Sequence, residues 1–210
     1  MKNYKKNFEI LKKNHVYSED MEHDACGVGL IASTEGKKSR KVVEYGIEAL
    51  KAVWHRGAVD ADGKTGDGAG IHVEIPKDFF IEKIEVTGHA HDNSEICVGM
   101  IFLPRNDYAA QESCKTIVES ELTKNDFSIY GWRQVPVNPK VLGEKAFQTM
   151  PEIIQVLFKS NNPELLNKDL ERKIYETRRI IENKAFKISL NNFYICSLSS
   201  KSIIFLPGSL

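Results

Sequence analysis

Between positions 57 and 70 the chain carries five glycines: Gly57, Gly63, Gly66, Gly68 and Gly70. Glycine loses the most backbone freedom on folding and offers no side chain to pack, so this stretch is neither helix nor regular strand. It is a loop with unusual dihedrals, and it separates two hydrophobic periods. Before it, Val43, Ile47, Leu50 and Trp54 fall on one helical face, with Ser39 as N-cap and Gly57 just past the end. After it, Ile71, Val73 and Ile75 alternate with His72 and Glu74, the pattern of a half-buried strand that stops at Pro76.

Both periods recur downstream. Residues 95–103 read as a strand that ends at Pro104. Residues 107–123 read as a helix with Ala110, Cys114, Ile117 and either Glu121 or Leu122 inward. Strands are expected over 127–135 and 152–158. Asn162 and Pro163 are expected to open a long helix with the stripe Leu166, Leu170, Ile174 and Ile181. Two further strands, 193–198 and 202–206, flank a Ser-Ser-Lys link. The order mixes helices and strands without strict alternation, so the class is α+β rather than a parallel βαβ fold. No internal repeat or low-complexity tract is present.

The 210 residues suit one or two domains, and a chain this long buries roughly 70% of its unfolded surface without a metal or disulfide staple. With 41% hydrophobic and 28% charged residues the composition is that of a soluble globular protein. The longest apolar stretch, 97–103, is far short of the ~20 residues of a membrane span. Twenty-nine basic residues balance 29 acidic ones, which leaves no global field for nucleic acid or an anionic membrane. The four cysteines, Cys26, Cys97, Cys114 and Cys196, form no Cys-x-x-Cys pair, so zinc ribbons and thioredoxin-type motifs are unsupported and no metal site is expected. No apolar segment follows the early lysines, so no signal peptide is read and a cytoplasmic, reducing setting is expected.

The first 24 or so residues are charged and poor in core-forming side chains, whereas 26–33 is a short apolar run read as a buried strand. Cys26 stands at the junction. A lone cysteine is ordinarily a small buried hydrophobe. The sharper reading is that cleavage between Ala25 and Cys26 gives one residue both a thiol, pKa near ~8.5, and a free α-amine near ~7.7–8.0 that serves as its general base. In the uncut chain that base is an amide, so processing is the activation step. His55, Arg56 and Gly57 read either as a helix C-terminus or as an arginine at a pocket rim.

The triplet Gly63-Lys64-Thr65 invites a nucleotide reading, but the P-loop requires glycine at position 58, which is Ala58. The P-loop is rejected, and a structured glycine loop remains. His89, His91 and Asp92, with Cys97 nearby, lack zinc-type spacing and read as an exposed loop. Trp54 reads as core and Trp132 as core or edge. The lysine pairs at 5–6, 12–13 and 37–38 read as solvated.

Taken together, these blocks resemble a known family. His23-Asp24-Ala25-Cys26-Gly27-Val28-Gly29 is similar to the processing site and nucleophile of the class II glutamine amidotransferases. The longer block from His55 to Gly70 resembles the glutamate synthase branch, and the block from Phe193 to Ser200 is a third match in the right order. The resemblance implies an N-terminal-nucleophile hydrolase fold, a four-layer αββα sandwich of two antiparallel sheets between helices. It implies a leader over residues 1–25 and the N-terminal portion of the amidotransferase domain over 26–210. It implies hydrolysis of L-glutamine to glutamate and ammonia through a thioester on Cys26, with Arg56, Gly57 and Asp67 positioning substrate or nucleophile. For a complete enzyme it implies further domains that receive the ammonia, FMN and an iron–sulfur cluster, and an electron-donor subunit or ferredoxin, none of them in this chain.

The chain departs from the family toward its end. The Arg-Phe-Ser-Thr-Asn and Asn-Gly-Glu-Ile-Asn stretches that supply substrate contacts and the oxyanion hole do not occur, and 205–210 diverges. The sandwich is therefore expected to be incomplete at the C-terminus, poorly stable alone or dependent on a partner segment, and without useful turnover as an isolated catalyst. Two other readings stand beside the glutaminase: a non-catalytic remnant or glutamine-binding regulatory module, and an amidotransferase of purine or amino-sugar synthesis. The glycine-rich length of 60–70 argues against the last.

Overall fold

The computed structural model describes residues 27–53, 57–66, 68–92 and 94–205, with residues 6, 7, 9, 10 and 13 near the start. In chain order the elements are α1 (Arg40–Ala52), β1 (Ile71–Glu74), α2 (Lys77–Val86), β2 (Cys97–Leu103), α3 (Tyr108–Lys124), β3 (Phe127–Gln134), a 3-10 turn (Pro139–Val141), α4 (Glu144–Thr149), β4 (Glu152–Ser160), α5 (Asn167–Lys187), β5 (Tyr194–Ser199) and β6 (Ser202–Phe205).

A four-stranded antiparallel sheet, ordered β3-β4-β2-β5, forms the centre. Its register runs from Cys97 opposite Phe158 to Leu103 opposite Glu152. Strand β2 is apolar at every position because both faces of this sheet are covered. Cys97, Ile101 and Leu103 pack with Cys114, Val118 and Leu122 of α3 and with Leu170, Ile174 and Ile181 of α5. Val98 and Met100 pack on the opposite side with Phe80 and Ile84 of α2 and Ile203 of β6. Each fully buried side chain of this size contributes about 1.5–3 kcal/mol, so both clusters matter to stability.

A second, two-stranded antiparallel sheet pairs β1 with β6, from Ile71 opposite Phe205 to Glu74 opposite Ser202. Strands β5 and β6 are adjacent in sequence but enter different sheets. The corner between them is held by Glu171 of α5, whose carboxylate accepts from Ser200 N–H at 2.7 Å, Ser200 Oγ at 2.8 Å and Ser199 Oγ at 2.8 Å. Helix α1 packs on β1. It is capped at Ser39, which accepts from Lys41 N–H, and Lys38 just before it pairs with Glu74 at 2.6 Å. Among the described residues no helix is long and apolar enough to cross a membrane.

The structure corrects three local expectations. Residues 27–33 form no strand, and Val28 and Leu30 are 90% and 89% exposed. An apolar run signals a preference for burial but supplies no partner, and among the described residues no strand pairs with this one. Helix α5 begins at Asn167 rather than beside Asn162 and Pro163. Asn162 instead closes a local turn: its side chain accepts from Glu164 N–H and its carbonyl from Leu165 N–H. Leu166 is consequently 51% exposed, outside the buried stripe of Leu170, Ile174, Thr177, Ile181 and Ala185. The inner face of α3 is Gln111, Cys114, Val118, Glu121 and Leu122, with Ala110 and Ile117 only half-buried. Gln111 tolerates burial because its amide donates to the carbonyls of Pro104 and Arg105.

Trp132 combines its two expected roles. It lies on the edge strand β3, half-buried against the helix-side core, with Nε1 donating to Glu119 at 2.6 Å.

Candidate active site

Of the residues singled out from the sequence, Gly57 is described, and it is exposed. Ala25, Cys26, Arg56 and Asp67, like Trp54, lie outside the described residues. The loop that leads from Gly57 towards position 67 is well defined. Val59 and Gly66 form an antiparallel bridge. Inside it, Asp60 N–H donates to Thr65 O at 2.7 Å and Gly63 N–H to Asp60 O at 2.9 Å. Gly63 takes φ 66°, a left-handed turn that glycine adopts without steric cost. Gly57 and Gly68 therefore both stand at the open end of one small hairpin-like loop.

Asp62 is the hub of that loop. Its Oδ1 accepts from Lys64 N–H at 2.9 Å and Thr65 N–H at 2.7 Å, and its Oδ2 accepts from the Thr65 hydroxyl at 2.5 Å. These hydrogen bonds, the Thr65 hydroxyl foremost, hold the carboxyl well below the usual carboxylate range. The geometry gives the physical reason this glycine run is not a phosphate cradle. Two of its backbone N–H groups, those of Lys64 and Thr65, point to the loop's own carboxylate rather than out toward a phosphate.

The loop is seated on a segment that the sequence did not mark, the crossover between β3 and β4. Thr65 Oγ1 accepts from Ala146 N–H at 3.4 Å, Lys64 Nζ donates to Lys140 O at 3.3 Å, and Lys145 forms an ion pair with Asp60. Gly143 is the N-cap of α4 and makes no side-chain cap bond. A Cβ there would lie 2.6 Å from Asp62 Oδ2 and closer still to Thr65 Oγ1 and N. No periodicity or motif singles out Gly143 or Lys145, because their role arises only from contact with residues far away in sequence.

The described cysteines are poor nucleophiles. Cys97 and Cys114 are buried and Cys196 is half-buried. Burial pushes the Cys97 thiol far up and the Cys114 thiol up to about 11. Burial also raises Cys196, against the opposing pull of Arg178. Among the described residues no three His, Cys, Asp or Glu side chains converge to hold a metal. Around position 92 the groups satisfy one another: His91 bonds the Ser94 carbonyl, and Asp92 accepts from Ser94 and pairs with Lys159, which holds its carboxyl low. A cavity of about 510 Å³ beside Asp92, Lys159 and Asn162 has none of residues 57–70 in its lining.

A charged leading segment, a cysteine at the start of an apolar run, a seated glycine loop and an α+β core of antiparallel sheets define a class. Residues 26–208 match the family described as glutamine amidotransferases class-II, and the chain belongs to that family. The relatives it matches include glutamate synthases. It is 52% identical over 202 residues to the glutamate synthase [NADPH] large chain of Azospirillum brasilense, covering 96% of this chain and 13% of that protein. It is 38% identical over 202 residues to the ferredoxin-dependent glutamate synthase 2, chloroplastic, of Arabidopsis thaliana, covering 94% and 12%. The ferredoxin-dependent glutamate synthase of Pyropia yezoensis is 38% identical over 204 residues. The chain spans about an eighth of the length of these curated relatives.

Proposed function

We propose that this chain hydrolyses L-glutamine to glutamate and ammonia with Cys26 as nucleophile, after removal of residues 1–25. The observation that carries the reading is the start of the family match at residue 26, the cysteine itself, directly after the charged leader. The freed α-amine of Cys26 takes the thiol proton. The sulfur then attacks the side-chain carbonyl carbon of glutamine, and the proton passes to the departing ammonia, leaving a thioester. Water adds to the thioester, the carbon–sulfur bond breaks, and glutamate leaves with the thiol restored. Arg56, Gly57 and Asp67 position glutamine and the terminus, and the bridged loop carries Gly57 at its open end. The packing of helices α3 and α5, the central sheet, the β1–β6 pair and α1 supports an N-terminal-nucleophile hydrolase sandwich.

In the longer polypeptide implied by the relatives' names, the ammonia passes to a synthase site that makes glutamate from 2-oxoglutarate. That site would depend on FMN, an iron–sulfur cluster and an electron donor held by other domains or subunits. No step above runs through those groups, and the self-occupied glycine loop is not a flavin phosphate site.

Intact-mass analysis joined to an ammonia-release assay tests the reading. The expected result is a mature mass beginning at Cys26 and loss of at least ~10³-fold of glutaminase activity in Cys26→Ser. Undiminished activity in that variant, or full activity with residues 1–25 retained, would overturn it. Glutamine-induced thermal stabilisation without ammonia release would instead identify a binding module.

A further inference from the structure

The seating of the glycine loop has a consequence for turnover that rests on the glutaminase reading above. We propose that Thr65 and Gly143 are positioning residues for glutamine: their close fit seats the glycine loop on the β3–β4 connection and fixes the loop end that carries Gly57.

The first N–H groups of a helix have no partner within it, and a side chain at the N-cap usually takes one of them. Gly143 has none to offer. The cap comes instead from 81 residues earlier, where Thr65 Oγ1 receives Ala146 N–H. The Lys145 N–H also helps to keep the Asp62 carboxyl ionised. The absence of a side chain at 143 is what lets Thr65 and Asp62 approach, since a Cβ would overlap both. Asp60 and Lys145 add an outer tie. With these contacts the loop is pinned at its tip and bridged at Val59 and Gly66, two residues from Gly57. Without them, the loop rests mainly on bonds within itself and on Lys64 Nζ donating to Lys140 O. Thr65 touches no reacting atom in this account. It acts through the loop that carries the substrate-binding positions.

The full 210-residue chain carrying Thr65→Val, Thr65→Ser or Gly143→Ala tests this. Amide hydrogen exchange is the first readout. Thr65→Val and Gly143→Ala should speed exchange across 57–66 about fivefold or more, the effect of losing one helix cap, while β2 and β4 stay protected. Thr65→Ser, which keeps the hydroxyl, should match the wild type. Should Gly143→Ala lose protection in β2 and β4 as well, Thr65→Val alone decides. Unchanged exchange over 57–66 overturns the seating.

The second readout, on the same variants with residues 1–25 removed, is saturation kinetics of Cys26 labelling by a glutamine-shaped chloroketone. The half-saturating concentration should rise about fivefold or more in Thr65→Val, with the limiting rate held within about twofold, and Thr65→Ser should restore it. A purely structural role would leave the half-saturation unchanged, and that result overturns the positioning claim. A wild-type chain that never labels at Cys26 brings down the glutaminase reading, and with it the positioning role, while the exchange data still decide the seating.

Discussion

If Cys26 is the nucleophile, limited alkylation of the folded chain with residues 1–25 removed will modify it well ahead of the other three cysteines. The burial of those three sets the contrast. Cys97 and Cys114 are wholly inaccessible, and the Cys114 thiol is pushed up to about 11. At pH 7.5 such a thiol is ionised in about 3 molecules per 10,000, against about 10% for an ordinary thiol near 8.5, a ratio of about 300. The greater basicity of a high-pKa thiolate returns about tenfold, which leaves a disadvantage of about 20–30-fold before access is counted. Burial raises Cys97 further still, because two carboxylates, Glu171 and Glu95, add to the effect. Cys196 is the sternest comparator, since it is half-buried and Arg178 offsets part of its upward shift.

The assay is substoichiometric iodoacetamide at pH 7.5, quenched over time and mapped by peptide mass. Cys26 should lead Cys196, with Cys97 and Cys114 unlabelled until the fold opens. Concentrated urea should bring all four to similar rates, and Cys26→Ser should abolish the fast phase. Labelling of Cys114 or Cys97 in the native chain as fast as Cys26 would refute the burial argument. Cys26 reacting no faster than Cys196 would refute its activation.

Two further outcomes follow from the core. Glu121 is buried on α3 and accepts from Lys184 of α5 at 2.5 Å and Lys124 at 3.1 Å, contacts that lower its pKa. The two lysines remain about half-exposed, so Glu121→Gln should cost about 1–2 kcal/mol, or about 2–8 °C in Tm, at pH 7. A carboxyl with a lowered folded pKa stabilises above its unfolded value near ~4.3 and loses that contribution as pH falls through the folded value. The gap between wild type and variant should thus close in melts run below about pH 4, and a gap that widens there would contradict the pairing. Leu170→Ala should cost about 2–5 kcal/mol in urea unfolding, whereas Leu166→Ala, at a half-exposed position, should stay within about 1 kcal/mol. Equal losses would restore the helix start at Asn162 that the hydrophobic stripe suggested.

The fold was legible where a local signal decides the outcome. Ser39 caps α1, the 71–75 alternation became β1 with its inward Val73 and Ile75, and Pro76 and Pro104 end their runs because proline supplies no ladder donor. It was less legible where tertiary contact overrides hydrophobicity. Gln111 and Glu121 occupy the inner face of α3 because backbone carbonyls and lysines satisfy them there. A pattern that counts apolar residues cannot foresee such partners. Asn162 followed by Pro163 matches a helix start, yet the same pair also makes a turn, and α5 opens only at Asn167, which takes φ 52°. Residues 27–33 show the limit most clearly: the run is apolar, but strand formation needs a neighbour, and sequence periodicity does not supply one.

The candidate site divides along the same line. The glycine spacing announced a loop, and the order of Asp62, Lys64 and Thr65 is legible in hindsight as a carboxylate bonding the N–H groups two and three residues on. What the spacing does not encode is where the loop sits. Gly143 follows an unremarkable Val141-Leu142 pair, and its lack of a side chain gains meaning only when Thr65 and Asp62 are found against it. The same holds for Lys145, one charge among 29, whose partner Asp60 lies 85 residues away. A loop rich in glycine has little enthalpy of its own with which to select one conformation. Its precision must come from the surface it rests on. If the open end of this loop is to hold glutamine against Cys26, the short α4 crossover is therefore as much a part of the site as the glycines themselves.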